Sequence, residues 1–380
     1  MTGAMTAAAQ GPLTVLHLVA NRWWTGSADP VLRLLDGLRR RGHRPLLGVI
    51  PGDRFEAKAR EAGFAPVTGL SLTPRLTPLA LVRDVTRIRR LVRSEGVDVI
   101  HTHHSHDHWL ATLARARVAG RRVPVVRTFH NLRSIRSGRL ERWAYRRTGA
   151  VFAVSRQIEG RCREVGIPAE RVVWTPGIAD LPRFMADVDP ILIRDEFRLG
   201  EAPVVVSVAR LAANRGHELL LNAFRLLQST MPEARLLLVG KGETRTRLEQ
   251  TVAELGLGGG VIFTGYRDRD LPAVLAAADC FALMAAGSDD SCRAALEAMA
   301  AARPVVARRV GALPETIAHG ETGLLVDEDR PEAVAAALAG VLADRQRGRA
   351  MGRAGRERAA REFSADRAVA IAEHVYRSLA

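Results

Sequence analysis

The sequence predicts two doubly wound α/β domains in tandem. Short apolar runs alternate with amphipathic stretches along almost the whole chain, and this alternation lapses once, near the middle. The length of 380 residues also exceeds a single core of ~100 to 200 residues. Buried strands alternating with helices imply a parallel sheet covered on both faces.

In the first half, "LTVLHLVA" (13–20) reads as a strand that ends in the loop "NRWWTGS". A helix follows in "ADPVLRLLDGLRRRGH", with Asp29 as cap, Pro30 in the first turn and Gly42 as stop. "RPLLGVI" is the next strand. The pattern repeats as helix "LALVRDVTRIRRLVRSEG", strand "VDVIHTH", helix "HDHWLATLARARVAG" and strand "VPVVRTFH". After a basic helical segment come the strand-like "AVFAVS" and "RVVWTPG". Periodicity lapses around Pro182, Pro190 and Pro203, which sets the expected limits: a first domain over 1–185, a connection over 186–202 and a second domain over 203–360. Residues 361–380 form a last helix, expected to return to the first domain.

The second domain restarts the alternation with "PVVVSVARL", "ARLLLVG", "VIFTGY", "DCFALMA", "RPVVARR" and "GLLVDEDR" as strands. In such sheets ligands bind outside the carboxyl ends of the strands. Arg210 and Arg215 flank the loop leaving the first of these strands, where forked guanidinium bonds suit a diphosphate; in so arginine-rich a chain, two solvated arginines are the alternative. "VGKGE" and "FTGYR" place glycines at strand exits, either as plain turns or to let a ligand approach the backbone.

"GSDDSCRAALEAMAAARPVVA" (287–307) raises the sharpest question. A helix starting near Ser291 would offer the backbone amides of Ser291, Cys292 and Arg293 to an anion. Glu297 lies about two turns inside, among small apolar residues, and a carboxylate accepts well from a sugar or ribose diol. The alternative is charge balance at the helix start for Asp289 and Asp290, with Glu297 on the surface.

Bulk composition narrows the function classes. With 47% hydrophobic and 26% charged residues the chain reads as soluble and globular. No apolar run reaches the roughly 18 residues of a membrane span, and "MTGAMTAAAQGP" lacks the marks of a signal peptide. Cys162, Cys280 and Cys292 show no CxxC spacing, so neither a disulfide framework nor a zinc site is expected and the cytoplasm is the default compartment. Up to Met185 the chain carries 31 basic and 14 acidic side chains, and from Ala186 onward 25 and 27. A basic first half suits anionic lipid head groups or phosphorylated substrates; nucleic acid is not expected, because no recognition motif accompanies the charge.

Residues 287–326 resemble the core signature of the GT-B glycosyltransferases, and more narrowly the retaining family 4 with its Glu-x7-Glu pattern. "VARLAANRGHELLLNAF" and "VIFTGYRDRDLPAVLAAADCFAL" are similar to other segments of that family, as are "GLRRRGH", "VDVIHTH", "RTFH" and "AVFAVS" in the first half. The resemblance implies two Rossmann-like domains facing across a cleft, with a nucleotide-diphosphate-sugar donor on the second and an acceptor on the first. Glu297 would hold the nucleotide ribose and Asp289 would contact the donor sugar. Arg210 and Arg215 would neutralise the diphosphate, with Lys241, Tyr266 and the 291–293 amides also on the donor. His130 would stand near the donor sugar, and Gly26 would fall in the glycine-rich loop of the first domain. No cofactor and no bound metal are implied, the nucleotide sugar being substrate.

Three departures stand out: Asp289 is shorter than the family's Glu, Asp290 replaces a glycine, and "TGSADP" is a poor copy of the family's Gly-Gly loop. "GSDDSCRAALEA" nonetheless resembles a branch associated with bacterial lipopolysaccharide and cell-surface glycan assembly. The expected protein is thus a cytoplasmic retaining glycosyltransferase, peripheral on the inner membrane face, acting on a glycan or lipid-linked acceptor. A nucleotide-sugar epimerase of the same fold and a non-catalytic nucleotide-sugar-binding protein are the alternatives.

Two further stretches carry other readings. "HTHHSHDHW" holds five of the eleven histidines, but its HxHDH spacing is one residue short of the HxHxDH of binuclear metal hydrolases, so loop and helix-start histidines are expected instead. "RTFHNLRSIRSGRLERWAYRR" places Trp143 and Tyr145 among arginines, as an anionic membrane surface or a lipid diphosphate would favour, or as a solvated helix with buried aromatics would.

Overall fold

The computed structural model describes residues 11–22, 28–73, 77–114, 116–286, 290–327 and 329–380. The chain divides into two compact units. One comprises the described residues up to Ala153, together with Ile158–Thr175 and Val369–Ala380; the other comprises Val154–Gln157 and Pro176–Ala368. Residues 186–202, the expected connection, therefore lie inside the second unit, and the main crossing falls at Thr175/Pro176.

The first unit is built on β1 (Thr14–Val19), β2 (Arg44–Val49), β3 (Val99–Thr102), the short β4 (Arg117–Val118) and β5 (Arg121–Arg122), β6 (Val125–Phe129), β7 (Ala150–Ala153) and β8 (Val172–Trp174). Six of these strands form one parallel sheet in the order β2-β1-β3-β6-β7-β8. On one face Leu16, Leu18 and Ile100 enter an apolar cluster with Leu110 and Ala111 of the helix Ser105–Ala114. The other face carries His17 and His101, paired across β1 and β3. The last helix, Ala365–Leu379, covers this polar row: the Tyr376 hydroxyl lies 2.6 Å from His101 Nδ1, and Thr128 Oγ1 lies 2.7 Å from His101 Nε2. Glu373 of the same helix pairs with Arg41 at 2.9 Å.

In the first unit local chemistry departs from the sequence reading in two places. Asp29 lies inside the first turn of the helix Asp29–Arg40 and pairs with Arg33 at 2.7 Å instead of capping. The helix expected to run to Gly120 ends at Ala114, because Ala119 and Gly120 adopt φ of 48° and 81° and turn the chain into the β4/β5 hairpin. Two successive left-handed residues make the turn whose twist matches paired strands.

In the second unit β9 (Val204–Val208), β10 (Arg235–Val239), β11 (Val261–Gly265), β12 (Cys280–Leu283), β13 (Val305–Arg308) and β14 (Gly323–Val326) form a parallel sheet in the order β11-β10-β9-β12-β13-β14. Its central strands are almost wholly apolar because both faces are covered. Val204, Val206, Leu237 and Phe281 enter one cluster, while Val205, Leu236, Leu238 and Cys280 enter the other. This is the period of two expected of a strand buried on both sides.

The helix Arg345–Glu362 packs closely on the helix Arg293–Ala300 and the turn that follows it. A Cβ on Gly352 would stand 2.0 Å from the Ala302 carbonyl oxygen, whereas one on Gly340, in the preceding helix Pro331–Leu342, would meet nothing within 4 Å. Gly352→Ala is therefore expected to destabilise the protein by about 1–3 kcal/mol despite its better helix propensity. Gly340→Ala is expected to stabilise by about 0.5–1 kcal/mol. Urea midpoints of the two variants, moving in opposite directions, check both.

Candidate active site

The strand order of the second sheet reverses between β9 and β12, leaving a crevice at their carboxyl ends where the following connections depart to opposite sides. The loop after β9 is zippered to the loop after β10: the Ala209 amide donates to the Val239 carbonyl at 3.0 Å, Leu211 to Lys241 at 3.1 Å, and Thr244 to Leu211 at 3.0 Å. This approach is what requires the glycines of "VGKGE". A Cβ on Gly240 or Gly242 would stand 2.0 Å from the carbonyl oxygen of Ala209 or Leu211. Their neighbour is the protein's own loop, which fixes the rim of the crevice.

Arg210 extends from that rim and pairs with Glu243 at 2.9 Å, both side chains being exposed. The Glu243 carboxyl is held below its ordinary range by its own backbone amide and by Arg210. Arg215 is half-buried beside His217, whose pKa falls to about 4 through burial first and the Arg215 charge second. Gly216 follows with φ of 72°; a Cβ there would stand 2.4 Å from Met284 Cβ, so only glycine lets the β9 loop reach the end of β12. On the neighbouring strand exits Lys241 Nζ sits 5.3 Å from the centre of the exposed Tyr266 ring.

Across the crevice the helix Arg293–Ala300 begins two residues later than expected. Cys292 takes a left-handed φ of 52°, and its carbonyl accepts from the Ala295 amide at 2.9 Å. The side chain explains the detour: Cys292 Sγ is buried among the carbonyls of Asp290, Ala286 and Val310, at 3.5, 3.8 and 3.9 Å. Gly311, with φ of 57°, leaves room for that sulfur, since its own Cβ would stand 3.0 Å away. The Asp290 carbonyl accepts from the Ala312 amide at 2.7 Å, so this position ties two crevice loops together through its backbone. Ser291 is buried against Gly177.

Glu297 is buried, and its carboxylate lies 3.1 Å from Arg293 Nε one turn earlier. One edge of the second sheet thus gathers Arg210, Arg215, Lys241, Tyr266, Arg293 and Glu297. It offers several cations, a helix amino terminus and one enclosed carboxylate, a combination able to hold a diphosphate and a diol. Asp289 and Gly26 lie outside the described residues. The roles of Gly216 and Gly311 are not legible in the sequence, where they stand only as isolated glycines beside strand ends.

His130 belongs to the first unit, just past β6. It is buried, with Nε2 3.5 Å from His103 Nδ1, and His103 Nε2 in turn lies 3.2 Å from His17 Nδ1. Burial lowers His17 to about 3 and pushes His101, His103 and His104 well below the ordinary imidazole range. These four rings are neutral at physiological pH. Nitrogens of His17, His101 and His103 lie within 4.8 Å of one another, and both nitrogens of His101 already face Tyr376 and Thr128.

Asp107 closes the loop beside them. It accepts from the amides of Ala20 and His104 at 3.0 and 2.8 Å and pairs with the buried Arg127 at 3.3 Å. Burial raises its pKa to about 6 against the pull of Arg127 and these amides. The aromatics of the basic segment are packed, not displayed: Tyr145 is buried and Trp143 stacks on Trp109, with ring centres 6.0 Å apart. No described helix is long and apolar enough to cross a membrane.

Family models match both halves of the chain: "Glycosyltransferase Family 4" over residues 24–182 and "Glycosyl transferases group 1" over residues 190–358. The GDP-mannose-dependent alpha-(1-6)-phosphatidylinositol monomannoside mannosyltransferase of Mycobacterium tuberculosis is 33% identical over 324 residues, covering 80% of this chain and 81% of the relative. The chain belongs to the group 1 glycosyltransferases.

Other members and folds extend the comparison. The N-acetyl-alpha-D-glucosaminyl L-malate synthase of Bacillus anthracis is 25% identical over 298 residues, 77% of each chain. Anabaena Alr3699/HepE, solved in complex with UDP, superposes with a TM-score of 0.82 at 21% identity, covering 96% of this chain and 100% of that one. A glycosyltransferase from Rickettsia africae gives 0.86 at 18% identity, over 97% and 99% of the two chains. These structures share the fold, two Rossmann-like units with C-terminal helices, that the glycosyltransferase signature implied.

Proposed function

We propose that this glycosyltransferase is a retaining enzyme that moves a sugar from a nucleotide-diphosphate donor to a lipid-linked or other cell-envelope glycan acceptor on the cytoplasmic side. The observation that carries the donor half is the enclosed Glu297 carboxylate, one helix away from the arginine-bearing β9 loop at the strand-order reversal. In this reading Glu297 accepts from the ribose hydroxyls, Arg210 and Arg215 neutralise the charge developing on the leaving diphosphate, and Tyr266 borders the base. Stabilising that developing charge with groups already in place is the strongest means such a site has of accelerating transfer.

The acceptor half is supported by the mycobacterial relative, which is named for a phosphatidylinositol monomannoside acceptor and a GDP-mannose donor. Lipopolysaccharide is one acceptor of this class, and a polyprenyl-linked or inositol-based glycolipid is another. His130 is assigned to the sugar being transferred, and Asp289 to its hydroxyls.

The test is transfer from GDP-mannose, UDP-glucose and UDP-N-acetylglucosamine to a set of phospholipid and glycolipid acceptors, with the product anomer read by NMR. An α-linked product from an α-linked donor is expected. A β-linked product would overturn the retaining assignment, and an altered free nucleotide sugar formed without acceptor would point to an epimerase.

A further inference from the structure

Five arginine side chains converge at the opposite end of the second sheet. A cavity of about 390 Å³ is lined, among the described residues, by Arg194, Arg303, Arg345, Arg349 and Arg353, with Asp279 as its one acid. Pro203, Asp279 and Pro304 in its wall immediately precede β9, β12 and β13, so it opens at the amino ends of the strands. The crevice described above opens at their carboxyl ends.

The arginines fall into two groups. Arg194 and Arg303 are half-buried and braced by carbonyls: Arg194 donates to Gly200, Ala277 and Ala202 at 2.9 Å each, and Arg303 to Ala301 and Ala278 at 2.8 Å each. Arg345, Arg349 and Arg353 recur every four residues on the helix Arg345–Glu362, beside Gly348 and Gly352, which meet the Val341 and Ala302 carbonyls. Like charges at this spacing destabilise a helix.

The surrounding residues do little to offset that repulsion. Arg345, Arg349 and Arg353 are all exposed; Arg345 donates to the Glu201 carbonyl at 3.0 Å, while Arg349 and Arg353 have no hydrogen-bond or ion-pair partner among the described residues. Asp279 is already committed, accepting from the Val204 amide at 2.9 Å. Burial lowers the Arg303 pKa; Asp279 opposes this, and the charge of Arg349 adds to it.

We propose that this cavity binds a small phosphate-bearing anion, a diphosphate or a phosphate ester. Guanidinium groups carried on a fixed wall and on a helix can each present paired N–H donors to phosphate oxygens, and the volume falls in the range of small-molecule sites. Such a ligand takes the place of water at the two exposed, unpartnered guanidinium groups and offsets the like-charge repulsion along the helix. The inference is independent of the donor reading, because no residue is shared between the two sites.

The same chemistry is presented by a free metabolite and by a lipid head group, and the experiment separates them. Inorganic pyrophosphate is titrated calorimetrically into the whole chain carrying Arg210→Gln and Arg215→Gln, which removes the arginine pair assigned to the diphosphate at the carboxyl-end crevice, with and without Arg349→Gln and Arg353→Gln. Binding is expected to persist in the first protein and to weaken by ~100-fold with the added pair, about tenfold for each charge-assisted bond lost. The ligand-free thermal midpoint of the Arg349→Gln/Arg353→Gln pair is expected to be equal or higher, since repulsion has been removed, which guards against misfolding. In parallel, phosphatidylcholine vesicles with and without phosphatidic acid are sedimented with the same proteins. Arginine-dependent binding to the acidic vesicles assigns a lipid head group, and binding of pyrophosphate alone assigns a free metabolite. The proposal fails if neither probe binds, or if every probe that binds does so equally well to the chain carrying Arg349→Gln and Arg353→Gln.

Discussion

Acidification from pH 7.5 to 5 is expected to unfold the first unit cooperatively. His17, His101, His103 and His108 are buried there and His104 is half-buried, and burial lowers each pKa, to about 3 for His17 and His108. In the unfolded chain these imidazoles titrate near 6.5. Between 6.5 and the native values the unfolded state therefore binds more protons, and stability present above pH 6.5 is lost as pH falls.

The size of the effect follows from the number of groups. Each histidine contributes up to ~1.4 kcal/mol per pH unit, so five give roughly 7 kcal/mol per unit, against a total stability of ~5–15 kcal/mol. Asp107 acts in the opposite sense: its native pKa is raised to about 6, so acidification through that value favours the folded state, by the equivalent of about one histidine. The histidines outweigh Asp107, so stability falls as pH drops below 6.5 and unfolding is accompanied by net proton uptake. Circular dichroism against pH, with the proton count from the pH dependence of urea unfolding, checks both. Unchanged stability down to a pH of about 4.5 would show that the histidine row is hydrated in solution.

These same histidines show where sequence reading stops. The run "VDVIHTH" correctly indicates a strand, because a short apolar run is the mark of burial on both faces. It cannot indicate that His101 faces a tyrosine 275 residues further along the chain. That contact exists because the last helix packs on the polar face of the first sheet, and such a pairing is invisible to local pattern.

The second unit is legible to the extent that its chemistry is local. The spacing of Glu297 behind a strand exit, its apolar neighbours and the arginines of the β9 loop are all visible as text, and the structure places Glu297 in an enclosed position. The helix starts two residues beyond the point its pattern suggests because Cys292 adopts a left-handed conformation, dictated by loop carbonyls that come from a different strand connection. Gly240 and Gly242 read either as plain turns or as a close approach for a ligand, and the structure shows that they admit a neighbouring loop. The hairpin at Ala119–Gly120 escapes the sequence pattern because alanine rarely adopts the positive φ it shows there.

Glu297 carries the second large expectation. Its side chain is enclosed, paired with Arg293 at 3.1 Å, and stands on the helix that leaves the strand-order reversal. If it accepts from two ribose hydroxyls, Glu297→Ala removes two hydrogen bonds to a charged group and leaves Arg293 facing the site without its carboxylate. Hydrogen bonds to charged groups contribute ~1.5–3 kcal/mol, so donor affinity should fall by roughly 10- to 100-fold, while Glu297→Gln, which keeps one acceptor, should fall less. The fold is expected to survive, because the residue lines a crevice and not the apolar core.

Calorimetric titration of UDP-, GDP- and ADP-sugars into the wild-type chain and Glu297→Ala is the most direct measurement of the central claim, that the carboxyl edge of the second sheet holds a nucleotide sugar through this carboxylate. At least one nucleotide sugar is expected to bind the wild-type protein, and Glu297→Ala, folded by circular dichroism, is expected to bind it roughly 10- to 100-fold more weakly. Equal affinity of the two proteins, or no binding of any nucleotide sugar to the wild type, would contradict that claim.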